Sequence, residues 1–240
     1  MSNKVQELQE HPLSSLTKKP KADKVVAQPK HRLAGAAKNT SASKTAEPKR
    51  LIVGISGASG IVYGVRILQV LQHSGIETHL VMSDSAKMTL ATELDMGIED
   101  VQRLATHVHN AKNIGATISS GSFKTMGMVV APCSIRSLSE IAYGMTTSLL
   151  SRAADVVLKE RRRLVLMLRE TPLHTGHLKA MLQATENGAI LMPPMPAFYA
   201  RPKTLDDMIN HSVGRALDLF DIETAMVARW AGMGKKSVEL

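Results

Sequence analysis

Leu51-Ile52-Val53-Gly54-Ile55-Ser56-Gly57-Ala58-Ser59-Gly60 decides how the rest of this 240-residue chain is read. The first five residues form a short apolar run of the kind that suits a strand buried on both faces. The run stops at a turn of small residues. Ile61 to His73 then follows with helical periodicity, with Val65, Leu68 and Leu71 among its apolar positions. Glu77 to Met82 reads as a second strand ending at Ser83, and a helix covers about Ser85 to Leu94. Strand, turn, helix, strand, helix at this spacing is a βαβ unit.

The alternation continues toward the C-terminus. Met126 to Ala131 is a buried-type strand ending at Pro132-Cys133-Ser134, and helices cover Ser137 to Ala142 and Leu149 to Arg161. Arg163 to Leu168 is a strand ending at Arg169-Glu170-Thr171-Pro172, Thr175 to Glu186 is helical, Ala189 to Met192 is a strand, and Leu205 to Leu219 is an amphipathic helix. The fold class is α/β: a single doubly wound Rossmann-like (flavodoxin-like) domain with a mostly parallel sheet covered on both faces. Ligands of such sheets bind beyond the carboxyl ends of the strands. The strand ends read SGASG, MSDSA, APCS and LRETP, so small, polar and charged residues gather on that edge.

Toward the N-terminus the character changes. Met1 to Pro48 holds no Phe, Trp or Tyr, and Pro12, Pro20, Pro29 and Pro48 interrupt Lys, Ser, Thr and Ala. Such a segment buries too little apolar area to offset its ordering entropy. Residues 1–48 are therefore expected to be a disordered basic tail, 49–232 the folded domain and 233–240 a flexible end. Residues 1–50 carry eleven Lys and Arg against four Asp and Glu, whereas the other 190 carry 19 against 17. The formal charge of +9 thus belongs mainly to the tail, which weakens any reading of the folded part as a nucleic-acid binder. No run of about 18 apolar residues occurs, so no membrane span is expected. The tail has Ser, Ala and basic residues, as transit peptides do, but Glu7, Glu10 and the scarcity of Arg (Arg32, Arg50) argue for a cytoplasmic chain. Aromatics are 3%, so the core is aliphatic. The one cysteine, Cys133, can form no internal disulfide.

Gly57-Ala58-Ser59-Gly60 opens a helix directly after a strand, where free N–H groups bind phosphate and glycine admits close approach. A tight turn with no ligand would look the same. Gly54, Gly57, Gly60 and Gly64 do not make G-x-G-x-x-G, and no Walker lysine follows. Cys133 has no histidine near it in sequence and reads as a small buried hydrophobe, with Ser134 a hydrogen-bonding loop residue. Arg152, Lys159, Arg169 and Arg215 are cations in apolar contexts, and Arg152 and Lys159, seven apart, share a helix face. They read either as surface ion pairs or as a phosphate grip. Glu170 follows Arg169, and a carboxylate beside several cations would stay ionised and could stabilise a developing carbocation or move protons. Pro193-Pro194-Met195-Pro196-Ala197-Phe198-Tyr199 is a stiff loop suited to a pocket wall or a subunit contact. His107 with His109 and His174 with His177 are weak pairs without H-x-x-x-H spacing, and no metal is expected.

The set SGASG, MSDSA, ATE, APCS, RAADVVLKERR, LRETP, PPMPAFY and the late Arg215 resembles the UbiX flavin prenyltransferases, from about Lys49 to Trp230. That resemblance implies binding of reduced FMN and dimethylallyl phosphate, joining of the prenyl group to flavin N5 and C6, and release of phosphate without a metal. It implies a product, prenylated FMN, that serves a UbiD-type decarboxylase, and a dodecamer of trimers with sites at subunit junctions. By position it assigns FMN to Gly57, Ala58, Ser59, Ser83, Ser134, Ile135, Arg136, Ser137 and Arg152. It assigns the prenyl phosphate to Lys159, Arg169, Glu170, Tyr199 and Arg215, and proton handling near N5 to Ser59 and Glu93. Trp230 matches a late family tryptophan near the pocket. Two positions depart: Leu168 stands where relatives often have Pro, and Arg136 where a smaller residue is common. The rival readings are an FMN-dependent cysteine-type decarboxylase of the same superfamily, whose P-x-M-N-x-x-M-W stretch is replaced here by Pro193 to Tyr199, and a non-catalytic flavin-binding module.

Overall fold

The computed structural model describes residues 47–227 together with 229 and 232. The expected tail, apart from Glu47 and Pro48, lies outside the described residues, as do Trp230 and residues 233–240. Contacts divide the chain into 1–45 and 46–240, and every described residue lies in the second unit.

Six strands form one parallel sheet: β1 (Arg50–Ile55), β2 (Glu77–Met82), β3 (His107–His109), β4 (Gly127–Cys133), β5 (Arg163–Leu168) and β6 (Ile190–Leu191). Among the described residues seven α-helices connect and flank them: α1 (Ile61–Leu71), α2 (Asp84–Glu93), α3 (Ile98–Arg103), α4 (Ile135–Ala142), α5 (Leu149–Lys159), α6 (Thr175–Glu186) and α7 (Leu205–Asp218). The strand order is β3-β2-β1-β4-β5-β6. The chain winds outward from β1 in one direction, then returns to start again at β4, so the topological switch falls between β1 and β4.

The strands are apolar at nearly every position because both faces are covered. Leu51, Val53 and Ile55 of β1 pack with α1, α2, α3 and α7, whereas Ile52 packs with α4, α5 and α6. β4 and β5 alternate in the same way, Val129 and Val165 going to the first core and Met128, Val130, Leu164 and Leu166 to the second. Each such buried Leu, Ile or Val contributes about 1.5–3 kcal/mol. A Cβ on Gly64 would sit 2.3 Å from the Ala131 carbonyl oxygen and 2.8 Å from Ile55 Cδ1. Helix α1 therefore rests on β1 and β4 at a distance that glycine alone permits.

The expected elements all occur, with ends displaced by up to two residues, and two more appear that were not expected, α3 and β3. Six and three residues are too short to show a period. β3 pairs His107 with His79 of β2, and the His79 ring is stacked against His107 at 4.6 Å and His109 at 5.2 Å. Burial first, then His107 and His109, hold the His79 pKa down to about 4. No helix among the described residues is long and apolar enough to cross a membrane.

Candidate active site

The switch between β1 and β4 leaves a gap at the carboxyl edge of the sheet, because the connections after these two strands lead to opposite faces. A cleft of about 470 Å³ occupies it, walled by Gly57, Ala58 and Ser59 after β1, Ser134, Ile135 and Arg136 after β4, and Arg169, Glu170 and Thr171 after β5. Ser85, in the first turn of α2, closes a fourth side. The buried Ser56 fixes the walls relative to one another: its Oγ donates to the Pro132 carbonyl at 2.8 Å and accepts from the Ser134 N–H at 2.7 Å.

The first wall differs from expectation in one respect. Gly60, with φ of 100°, caps α1 and has no side chain to satisfy the helix start. The carboxylate of Glu93, from the end of α2, does so instead, accepting the Gly60 N–H at 2.9 Å and the Ile61 N–H at 3.0 Å. Two of the N–H groups at this helix start, those of Gly60 and Ile61, are thus occupied by the chain's own carboxylate. Burial pushes the Glu93 carboxyl up, but the Ser59 hydroxyl, the two N–H groups and the Arg169 charge outweigh it, so the group lies below its ordinary value. Ser59, exposed in the cleft, stands between this anion and whatever docks there. A hydroxyl backed by a carboxylate can pass a proton in either direction.

The facing walls are cationic. Arg136 lies in the first turn of α4, and its Nε donates to the Glu140 carboxylate at 3.0 Å, one helical turn on. Ser134 caps the same helix, accepting from Ser137 N–H at 3.2 Å. Arg169, on the loop after β5, carries a charge felt by both Glu93 and Tyr63. Burial raises the Tyr63 phenol and Arg169 lowers it, with a net rise. Ser83 adjoins the cleft as the cap of α2, accepting from Ala86 N–H at 3.1 Å and lying 3.0 Å from Ser85 Oγ.

Within one chain the remaining cations do not join this cleft. Arg152, in the first turns of α5, pairs with Asp155 at 2.7 Å. Lys159 ends the same helix beside Glu160, at 2.5 Å, close to the start of β5. The two share a face, but seven residues advance the helix by about 10.5 Å. Helix α5 runs against the strand direction, so Lys159 lies toward the amino edge of the sheet. Arg215 lies at the same end of the sheet: it pairs with Asp218 at 2.9 Å in the last turn of α7, and the next residue, Leu219, accepts from Arg163 at the start of β5. Tyr199 approaches His211 at 3.3 Å. Of the set Lys159, Arg169, Glu170, Tyr199 and Arg215 expected to meet a phosphate, a single chain therefore brings Arg169 and Glu170 to the cleft and leaves Lys159 and Arg215 at the opposite end of the sheet. Periodicity reports which face of a helix a residue occupies, not which end of the sheet it reaches. Ser85 and Thr171, which line the cleft, were not named as binding residues, although both fall within the strand-end stretches MSDSA and LRETP.

Cys133 is fully buried, and burial alone pushes its thiol up to about 12, so it is an interior residue and no nucleophile. The cleft suits a flat, partly apolar ligand with an anionic end, such as FMN. It offers the Ile135 surface, the Ser59, Ser85, Ser134 and Thr171 hydroxyls and the Arg136 and Arg169 cations, in a volume typical of cofactor pockets.

Residues 39–223 match the Flavoprotein family. A flavin prenyltransferase UbiX of Thauera aromatica is 62% identical over 183 residues, covering 76% of this chain and 94% of that protein. Among solved structures, a dodecameric FMN-dependent UbiX-like decarboxylase from Escherichia coli O157:H7 is 50% identical with a TM-score of 0.75, covering 76% of this chain and all of that one. A UbiX protein in complex with FMN and dimethylallyl pyrophosphate is 48% identical with a TM-score of 0.76, covering 77% and 98%. A cleft at the β1–β4 switch, framed by these turns in a chain so similar to those proteins, places it plainly: the chain belongs to the flavoprotein family and, within it, to the UbiX flavin prenyltransferases.

Proposed function

We propose that this chain transfers a dimethylallyl group from dimethylallyl phosphate to N5 and C6 of reduced FMN, releasing phosphate and giving prenylated FMN. The observation that carries the reading is the switch-point cleft, with Ser59 and Glu93 on one wall and Arg136, Arg169 and Glu170 on the others. Reduced FMN supplies the nucleophilic ring atoms. Gly57, Ala58, Ser134, Ile135 and Ser137, with Ser83 beside them, hold it by turn backbone and hydroxyls. Ser59, backed by the Glu93 carboxylate, takes up or returns the proton at N5. Arg169 stabilises the departing anion where allylic C–O ionisation develops charge, with Glu170, which accepts the Thr171 N–H, beside it on the same wall.

Lys159, Tyr199, Arg215 and Arg152 serve the same chemistry from a neighbouring copy, in a homo-oligomer of the dodecameric kind described for the E. coli relative. The pairing partners of Lys159 and Arg215 in one chain, Glu160 and Asp218, are side chains those cations can leave when an anion is offered. Residues 49–232 form the catalytic unit, with 1–48 and 233–240 outside it, and the chain acts in the cytoplasm. Its product feeds a UbiD-type decarboxylase.

Anaerobic incubation with FMNH2 and dimethylallyl phosphate tests the activity. Phosphate release with a new flavin absorbance is expected, and neither would appear if the reading is wrong. Arg169→Ala and Lys159→Ala are each expected to be inactive alone. Unfolded and refolded together in equal amounts, they should regain about a quarter of wild-type activity, the share of sites receiving both native residues from different copies. No regain in an assembled mixture would place both residues in one chain's site.

A further inference from the structure

Outside the cleft, one cluster of side chains is unexplained by this chemistry. Glu77 and His79 lie on one face of β2, two residues apart, and His79 is in register with His107 of β3. One donor atom from each of the three lies within 4.8 Å of the others. His79 is 3% exposed, and its Nε2 has no hydrogen-bond partner among the described residues. Its Nδ1 is 2.9 Å from His109 Nε2, and Phe123 meets the ring edge-on at 5.0 Å. An orphaned buried nitrogen costs about 1–3 kcal/mol and calls for a cause. A histidine held through Nδ1 with Nε2 bare is the arrangement of a metal ligand oriented by an outer partner.

We infer that Glu77, His79 and His107 bind one divalent transition-metal ion of the zinc and cobalt class, with His109 orienting His79 and solvent completing the coordination. Two imidazoles and a carboxylate exclude the oxygen-seeking Mg²⁺ and Ca²⁺ as preferred ions. Tetrahedral zinc places its donors about 3.3 Å apart. The cluster must therefore tighten by at most about 1.5 Å. That movement falls to His107, exposed on an edge strand only three residues long, and to the half-buried Glu77. His79 stays fixed in the interior. Glu77 gives one oxygen, Oε2, to Arg50 Nε at 2.9 Å, and its Oε1 has no hydrogen bond among the described residues. The Arg50 charge opposes an incoming cation, so it sets the affinity of the site. The cluster is remote from the reaction: Ser83 is six residues beyond Glu77, about 20 Å along an extended strand. A bound ion would act as a clip between β2 and the short edge strand β3.

Co²⁺ added to the purified full-length chain tests this, by equilibrium dialysis and by the visible ligand-field spectrum. One Co²⁺ per chain with a low-symmetry spectrum is expected, displaced by Zn²⁺. His79 is part of the packed interior, so the exposed His107 is the variant of choice. His107→Ala and Glu77→Gln should each weaken binding by about tenfold or more. Arg50→Gln should tighten it. His174→Ala, which alters the other histidine pair, should leave both stoichiometry and spectrum unchanged. Prenyl transfer should survive His107→Ala and added chelator. Absence of saturable binding, binding unaffected by His107→Ala, or binding lost in His174→Ala would each overturn the assignment.

Discussion

Glu93→Gln separates the two roles assigned to this carboxylate, holding the start of α1 and serving Ser59. In the wild-type chain one carboxylate oxygen, Oε2, accepts both N–H groups, at 2.9 Å from Gly60 and 3.0 Å from Ile61. A glutamine oxygen can occupy the same point, so both bonds persist but lose their charge assistance. That difference is about 1 kcal/mol per bond. The favourable placement of an anion at a helix start adds about 0.3–1 kcal/mol. Solvent reaches the group and screens part of the sum, leaving a loss of about 1–2 kcal/mol. For a domain of this size the melting temperature should fall by about 2–8 °C. The pH dependence identifies the cause. The folded carboxyl lies below its ordinary 4.5, so its contribution is complete above that value and is lost as pH falls through the folded value. The gap in stability between wild type and Glu93→Gln should be constant from neutrality to about pH 5 and should narrow in more acid solution. Thermal melts from pH 3 to 8, with single-turnover prenyl transfer at pH 7, supply both readouts. Equal melting at neutral pH would refute the helix-start role. A single-turnover rate equal to wild type, in a variant that still binds FMN, would refute the proton-relay role.

Three further substitutions or treatments probe the frame of the cleft. Ser56→Ala removes the group that bonds both Pro132 and Ser134, leaving the Ser134 N–H unsatisfied; stability should fall by about 1–3 kcal/mol and the Kd for FMN should rise, read by denaturant melts and flavin fluorescence. Gly64→Ala forces a methyl to within 2.3 Å of a β4 carbonyl oxygen, so α1 must lift away; a loss of about 2 kcal/mol or more is expected, and a melting temperature equal to wild type would contradict the close packing of α1 on β4. Cys133, with its thiol pushed up to about 12 and fully buried, should resist maleimide in the native chain and react once on denaturation, as counted by mass spectrometry.

What was legible in the sequence was whatever short-range order records. The run at Leu51 to Ile55 and its successors named the strands, and the small or charged residues after each named the edge on which ligands bind. Gly57, Ser134 and Arg169 follow from that reading because a strand end fixes where the next residues lie. Glu93 does not: it reaches Gly60 across 33 residues, and no local pattern records that distance, so resemblance alone pointed to it. The Glu77, His79 and His107 cluster was hidden for a similar reason. Its members meet through strand register, while His107 and His109 seen side by side in sequence looked like a weak pair. Arg152 and Lys159 erred in the opposite sense. Their shared face was legible, but their heights on a helix that runs against the strands were not.

The occupied start of α1 changes how the cleft divides its labour. In dinucleotide folds the first turn after β1 binds phosphate because its N–H groups are free. Here a carboxylate 33 residues away has taken those of Gly60 and Ile61, and a second anion at that point would be repelled. An anionic ligand end is therefore disfavoured beside Gly60 and Ile61. The cations that line the cleft, Arg136 and Arg169, stand after β4 and β5. The cap of α4 takes only the Ser137 N–H, so that helix start is less closed than the start of α1. One side of the switch therefore presents a hydroxyl backed by a carboxylate, and the other presents cations. A reaction that expels an anion from one partner while a proton leaves the other needs the two tasks kept apart. Were Glu93 removed from the α1 turn, the Gly60 and Ile61 N–H groups would be open to an anion, and Ser59 would lose the carboxylate behind it.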